Sequence, residues 1–200
     1  VGQVGGSLKA VQVAGRFGEM ADGVRLHLSA DRIFHTDPAF LAGCKTASEL
    51  LKAAPLPSPP RRVFFLAHVA FELALDAVVL EREPNLADDL YAHLKMARSE
   101  VHSFVAADLA PRLDGHIVAF VEQGYLARYN RNTSLAEALR RIAGRVDTDL
   151  LPEGDAALDV LVDFFAQLRE VVTPQVPELL FRIGESWYNS LQVAIHADND

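Results

Sequence analysis

The sequence predicts an all-α protein, and three observations carry that expectation. Apolar residues recur at i, i+3, i+4 and i+7 along most of the chain, the spacing of one helix face. Ala and Leu dominate, and no β-branched run is long enough for more than a few residues of strand. Caps and breakers such as Asp37-Pro38, Pro84-Asn85, Pro111 and Ser134 fall between the periodic segments, where helices start and stop. The expected architecture is a single-domain helical bundle of about eight helices.

The elements follow in order. Residues 1–14 carry three glycines and no clear cap. The first convincing helix runs from about Phe17 to Phe34. Thr36-Asp37-Pro38 stops it and starts a short turn, in which Asp37 is a good N-cap and Pro38 suits a first helical position. A helix near Thr46–Ala54 follows, then the stiff connector Pro55–Pro60. Arg61–Leu80 is hydrophobic nearly all round, which predicts a central helix. Asn85 is expected to cap a long helix from Leu86 to about Leu109. Pro111 opens another that ends near Tyr129. Ser134 and Glu137 have the spacing of a capping box for Leu135 to about Arg145. Two further helices are expected near Asp155–Val172 and Pro177–Ala197.

Composition narrows the function classes. Half of the 200 residues are hydrophobic, enough for a domain that hides roughly 70% of its unfolded surface. The net charge of −8 argues against nucleic acid as a partner, since such proteins present a basic stripe. Cys44 is the one cysteine, so no intramolecular disulfide forms, and a reducing, cytoplasmic location is expected. It reads as a small core residue or, alternatively, as a catalytic thiol. The longest apolar stretch, Val63–Leu80, is interrupted by His68, Glu72 and Asp76, so no membrane span is expected. No signal-peptide pattern is present. The chain opens on Val1 rather than Met, which predicts further residues upstream.

Two helices carry ionisable triplets. His27, Asp31 and His35 stand at i, i+4 and i+8, and so do His68, Glu72 and Asp76. At about 100° per residue, successive members drift by only about 40°, so each triplet lines one side of its helix. Imidazoles and carboxylates at this spacing are a compact source of metal ligands. The second triplet lies among Phe64, Phe65, Leu66, Val69, Phe71 and Leu73, where ionisable groups are costly unless paired or metal-bound. The alternative is a hydrogen-bonded polar seam between packed helices.

Other polar groups are less telling. Asp89 and His93 share a face and read as a solvated face or as a third contribution to the same site. His102, His116 and His196 are isolated. Arg128 and Tyr129, next to Arg131, suit phosphate binding or the end of a helix. No P-loop, dinucleotide fingerprint, Cys-x-x-Cys pair, His-Glu-x-x-His or serine elbow is present.

The stretch Val24–Asp37, with His27 followed by Asp31 and then Thr36-Asp37, resembles the His-x-x-x-Asp motif of the acyl-carrier-protein phosphodiesterases. Tyr125-Leu126-Ala127-Arg128-Tyr129, running into Ser134–Val146, is similar to that family's Arg-Tyr segment and its following helix. The resemblance spans about residues 4–150 and is carried by the order and spacing of the pieces. It implies an all-α fold of the HD-phosphohydrolase kind. It also implies removal of 4′-phosphopantetheine from holo acyl carrier protein, with a divalent metal such as Mn²⁺. His27 and Asp31 are the positions it carries over. Gly5-Gly6-Ser7-Leu8-Lys9-Ala10 stands where the family has a Gly-x-Leu-Leu-x-Asp-like stretch, without its Asp, and no His precedes it. The Thr-Asp follows Asp31 two residues later than in the family, with His35 intervening. On the central helix, His68, Glu72 and Asp76 replace the family's Asp-His pair.

The resulting expectation is a metal-dependent phosphoesterase. His27, Asp31, His68 and Asp76 are its first ligands, and His35 and Glu72 are further ligands or partners that orient them. Asp31 and Arg128 carry catalytic roles, with Arg128 steadying the phosphate. The metal is Mn, Fe, Zn or Ni, and acyl carrier protein is the implied partner. Arg61, Arg62, Arg140, Arg141 and Arg145 are the scattered basic residues for docking it. The alternative is a non-catalytic helical scaffold, such as a homodimer, that keeps a polar seam in place of an active site.

Overall fold

The computed structural model describes residues 18–98 and 110–185. Their regular structure is all helical, with no strand among them, as the periodicity predicts. The helices are α1 (Gly18–Thr36), α2 (Pro38–Ala53), α3 (Val63–Arg82), α4 (Leu86–Ala97) and α5 (Ala110–Gln123). A 3-10 turn (Leu126–Arg128), α6 (Asn132–Val146) and α7 (Asp155–Val172) follow. A last helix, α8, is described over 176–185. The chain divides into two compact units, one comprising Val1–Ile33 and Asn85–Tyr125, the other Phe34–Pro84 and Leu126–Asp200.

The second unit is built around α3, as its all-round apolar sequence leads one to expect. Leu66, Ala67, Ala70, Phe71, Ala74 and Val78 are all buried. They belong to one core with Phe40 and Leu51 of α2, Leu135 and Leu139 of α6, and Leu161, Phe165 and Leu168 of α7. By length and composition alone, α3 is apolar enough to cross a membrane. This corrects the expectation that the polar interruptions rule such a span out. Half of this apolar stretch is buried in the structure, while Phe64 near its start is 74% exposed. The approach of α2 to α3 is close at Gly43: a Cβ there would stand 2.1 Å from Cε2 of the buried Phe71. In the first unit α4 packs on α5. Tyr91 meets Phe120 at 5.7 Å between ring centroids, and Ala110 and Leu113 form a small cluster with Ile117.

Several boundaries differ from the sequence reading. Asp37 does cap α2: its side chain accepts from the Ala39 N–H at 2.7 Å, with Pro38 at the first turn. That cap opens a helix running from Pro38 to Ala53, longer than the Thr46–Ala54 expected. Asn85 makes no side-chain cap bond. Its own backbone is already helical, so its amide is not placed to reach the free N–H groups. Asp88 and Asp89 supply negative charge to that helix end instead. The capping box at Ser134 and Glu137 is absent, because α6 starts earlier, at Asn132, and has no side-chain cap. Arg169 ties that start down from α7, donating to Asn132 Oδ1 at 2.9 Å and pairing with Glu81. The helix expected to run to Tyr129 ends at Gln123. Gly124 takes φ 54°, the left-handed conformation that ends helices and favours glycine. The far ends of the helices read as Leu86–Leu109 and Pro177–Ala197, together with Gly5–Ala10, His102 and His196, lie outside the described residues.

Candidate metal centre

Three of the sequence-read residues meet in the second unit. His35 lies in the last turn of α1, and His68 and Glu72 are one turn apart on α3. His35 Nε2 stands 3.2 Å from His68 Nε2 and 3.0 Å from Glu72 Oε1. His68 Nε2 stands 3.1 Å from the same oxygen. The three donor atoms thus form a nearly equilateral triangle. Their side chains are 30%, 31% and 36% exposed, so the triangle lies at the rim of the core with one side toward solvent.

Aromatic packing holds the imidazoles. The two rings lie nearly parallel, 7° between planes, with centroids 4.9 Å apart. Phe40 stands edge-on to both, at 4.9 Å from His35 and 5.2 Å from His68, and Phe34 stands edge-on to His35. Phe40 in turn meets Phe71. The close α2–α3 contact at Gly43 therefore supports the wall behind the imidazoles.

With Glu72 ionised, no placement of protons makes all three edges of this triangle attractive. A neutral imidazole nitrogen is either a donor or an acceptor, and an ionised carboxylate only accepts. If both Nε2 atoms carry protons, both donate to the one Glu72 oxygen, and the 3.2 Å edge is then a close approach of two donors. If one Nε2 is bare, it faces the carboxylate oxygen lone pair to lone pair. No assignment with Glu72 ionised makes all three edges attractive. A cation between the three atoms does so at once. The set of two imidazoles and a carboxylate suits Zn²⁺ and non-haem iron alike. Adjacent donors on a six-coordinate first-row cation, at about 2.1–2.2 Å from it, stand about 3.0–3.1 Å apart, as these do. By donor chemistry and spacing the residues fit a divalent metal.

Asp76 follows Glu72 by one turn. It is exposed on the protein surface. Protein crowding around the carboxyl, and then the charge of Glu72, push its pKa from 3.8 up to about 6. It makes no hydrogen bond to a described side chain and lies outside the triangle. Cys44 of α2 is buried, and burial followed by the charge of Glu72 pushes its thiol up to about 11. It is therefore a core residue at neutral pH, because a nucleophile needs the thiolate.

The other sequence-read positions lie elsewhere. His27 and Asp31 are exposed and belong to the first unit. Arg128 is exposed in the 3-10 turn, which packs on α3. His93 and His116 each bond through Nδ1 to the backbone carbonyl four residues earlier, those of Asp89 and Arg112, as residues on a solvated helix face do. Among the basic residues, Arg61 pairs with Asp147 and Asp149. Sequence reading missed the partnership of Asp37 with Arg182, 145 residues away, for which no local pattern gives a signal.

No protein-family model, no curated protein and no solved structure matches this chain.

Proposed function

We propose that this chain is a divalent-metal protein whose centre is His35, His68 and Glu72, and that it acts as a metal-dependent phosphoesterase. The observation that carries the metal reading is the donor triangle: three ligand-type atoms 3.0–3.2 Å apart, the spacing of adjacent ligands on one cation. A bound divalent cation supplies Lewis acidity toward a phosphoryl oxygen and acidifies water. The chain's own part is to fix the two imidazoles with Phe34 and Phe40, to present one carboxylate, and to leave one side open for substrate. Three protein ligands with an open side are the arrangement of reactive rather than structural sites. Asp76, with its carboxyl raised to about 6, is suited to hold or release a proton near neutrality.

The phosphoester reading rests on the resemblance of Val24–Asp37 to the acyl-carrier-protein phosphodiesterases. By that resemblance the substrate is holo acyl carrier protein and the metal Mn²⁺; we assign Arg128 to steady the phosphate. The buried free thiol of Cys44 suits a cytoplasmic setting. Elemental analysis of protein purified without chelator tests the metal reading, with near-stoichiometric Mn, Fe, Zn or Ni expected and its loss in His68→Ala. Hydrolysis of bis-p-nitrophenyl phosphate with added Mn²⁺ tests the chemistry, and intact mass of holo acyl carrier protein tests the substrate. Turnover of the generic diester alone keeps the phosphoesterase and discards that substrate. Metal without turnover discards the reaction. Neither metal nor turnover leaves the non-catalytic scaffold.

A further inference from the structure

Arg182 of α8 takes no part in the donor triangle, yet it grips the corner of the chain that delivers His35. Its Nε donates to Asp37 Oδ2 and its Nη2 to Asp37 Oδ1, both at 3.2 Å. Its Nη1 donates to Glu178 Oε1 at 3.0 Å, which sets the guanidinium from its own helix. Asp37 is also the hinge of the corner. Its backbone N–H donates to Phe34 O at 3.2 Å, and its Oδ1 caps α2 at Ala39. Phe34 is the first residue of this unit and His35 the next, so on the N-terminal side only one residue of the unit precedes the ligand. The nearest covalent anchor is the corner at Asp37, and Arg182 fastens it to a helix whose Val176 and Leu179 are buried in the core.

We propose that Arg182 is a positioning residue of the metal centre: through Asp37 it fixes the α1–α2 corner, and so holds His35 Nε2 against His68 and Glu72 of α3. The proposal rests on the reading of the triangle as a metal site. A planar guanidinium held by two prongs sets direction as well as distance, and partners that orient a ligand commonly change metal affinity by about 10–100-fold when removed. Charge and position act in opposite directions here. Deleting a cation, and leaving Asp37 unpaired, tightens the binding of another cation by charge alone. Deleting a tie on His35 loosens it.

The sign of the effect is therefore the test. Mn²⁺ binding to the full chain is titrated by calorimetry for the wild type, Arg182→Met, Arg182→Lys and His68→Ala, with circular dichroism and denaturant midpoints of the chelator-treated proteins alongside. Arg182→Met is expected to bind about tenfold or more weakly while its helicity is unchanged, with partial recovery in Arg182→Lys. Unchanged or tighter binding in Arg182→Met, with His68→Ala still defective, overturns the proposal and leaves the metal reading standing. No binding by the wild type, or equal binding by His68→Ala, overturns the metal reading itself. If Arg182→Met does not fold, Arg182→Lys decides, because it keeps the charge and loses the two-pronged geometry. A several-fold loss supports the positioning role, and wild-type affinity overturns it.

Discussion

The Nε2 atoms of His35 and His68 face each other at 3.2 Å across imidazole planes only 7° from parallel. With Glu72 Oε1 at 3.0 and 3.1 Å from them, the three atoms have the spacing of adjacent ligands on one cation. The first prediction follows from mass action. A ligand that binds only the folded state stabilises it by about 2.7 kcal/mol at a hundredfold excess over Kd. Adding Mn²⁺ to chelator-stripped protein should raise the thermal midpoint in a concentration-dependent way, and Glu72→Ala should remove the rise. A midpoint indifferent to Mn²⁺, Fe²⁺, Zn²⁺ and Ni²⁺ would sink the site.

The same geometry predicts an unusual stability phenotype in the absence of metal. His68 is part-buried, and while Glu72 is ionised no protonation makes every edge of the triangle attractive. His68→Leu in chelator should therefore leave the denaturant midpoint unchanged or raise it, since an apolar replacement avoids desolvating a polar group. Were the imidazole a structural hydrogen-bond hub, the same change would cost about 1–3 kcal/mol through partners left unsatisfied. Comparison of the two denaturation curves separates these outcomes.

Much of this fold was legible in the sequence because its signals are local. The start of α2 was readable from Asp37-Pro38, and α7 (Asp155–Val172) from its apolar spacing alone. The centrality of α3 followed from its lack of a polar face. Tertiary interactions decided the rest. Arg169 fixes the start of α6 and displaces the box at Ser134. Gly124 ends α5, and its signal was present in the sequence but outweighed by the apolar residues beyond it. For the site, spacing identified both triplets, but spacing places residues on a helix face without saying which member of one triplet meets which of the other. That depended on the corner at Asp37, which brings the last residue of the first triplet, His35, to the first two of the second.

Gly43 predicts a packing defect that reaches the site. A methyl added there would overlap the Phe71 ring, 2.1 Å from Cε2 and 2.4 Å from Cζ, and Phe71 is itself only 1% exposed. Because that ring is buried in the core, relieving the overlap means shifting Phe71 or moving α2 away from α3. Gly43→Ala should lower stability by about 1–3 kcal/mol, against the small gain that Ala normally brings to a helix interior. Because Phe40 of α2 stands against both imidazoles, metal affinity measured under folding conditions should fall as well. A stability equal to or above the wild type would show that the two helices are not held in this contact.

Asp76 gives a prediction in pH. Its carboxyl titrates near 3.8 when unfolded and at about 6 when folded, so between these values the native state binds more protons than the unfolded state. Stability then falls as pH rises through that window, and the loss is complete above about 6. The sign is opposite to that of a salt-bridged carboxylate such as Asp37. Against its own desolvation, the Arg182 hydrogen bond holds the Asp37 carboxyl below its ordinary value, and its contribution is lost as pH falls. Asp76→Asn should therefore raise the denaturant midpoint of chelator-treated protein near neutral pH. The gap from the wild type should close progressively toward acid and vanish below about 4. A metal ion beside Glu72 would lower the cost of ionising Asp76, so the neutral-pH gap should also shrink when Mn²⁺ is added. A gap independent of pH would mean that the substitution acts through helix propensity or packing, and that Asp76 ionises as an ordinary surface carboxylate.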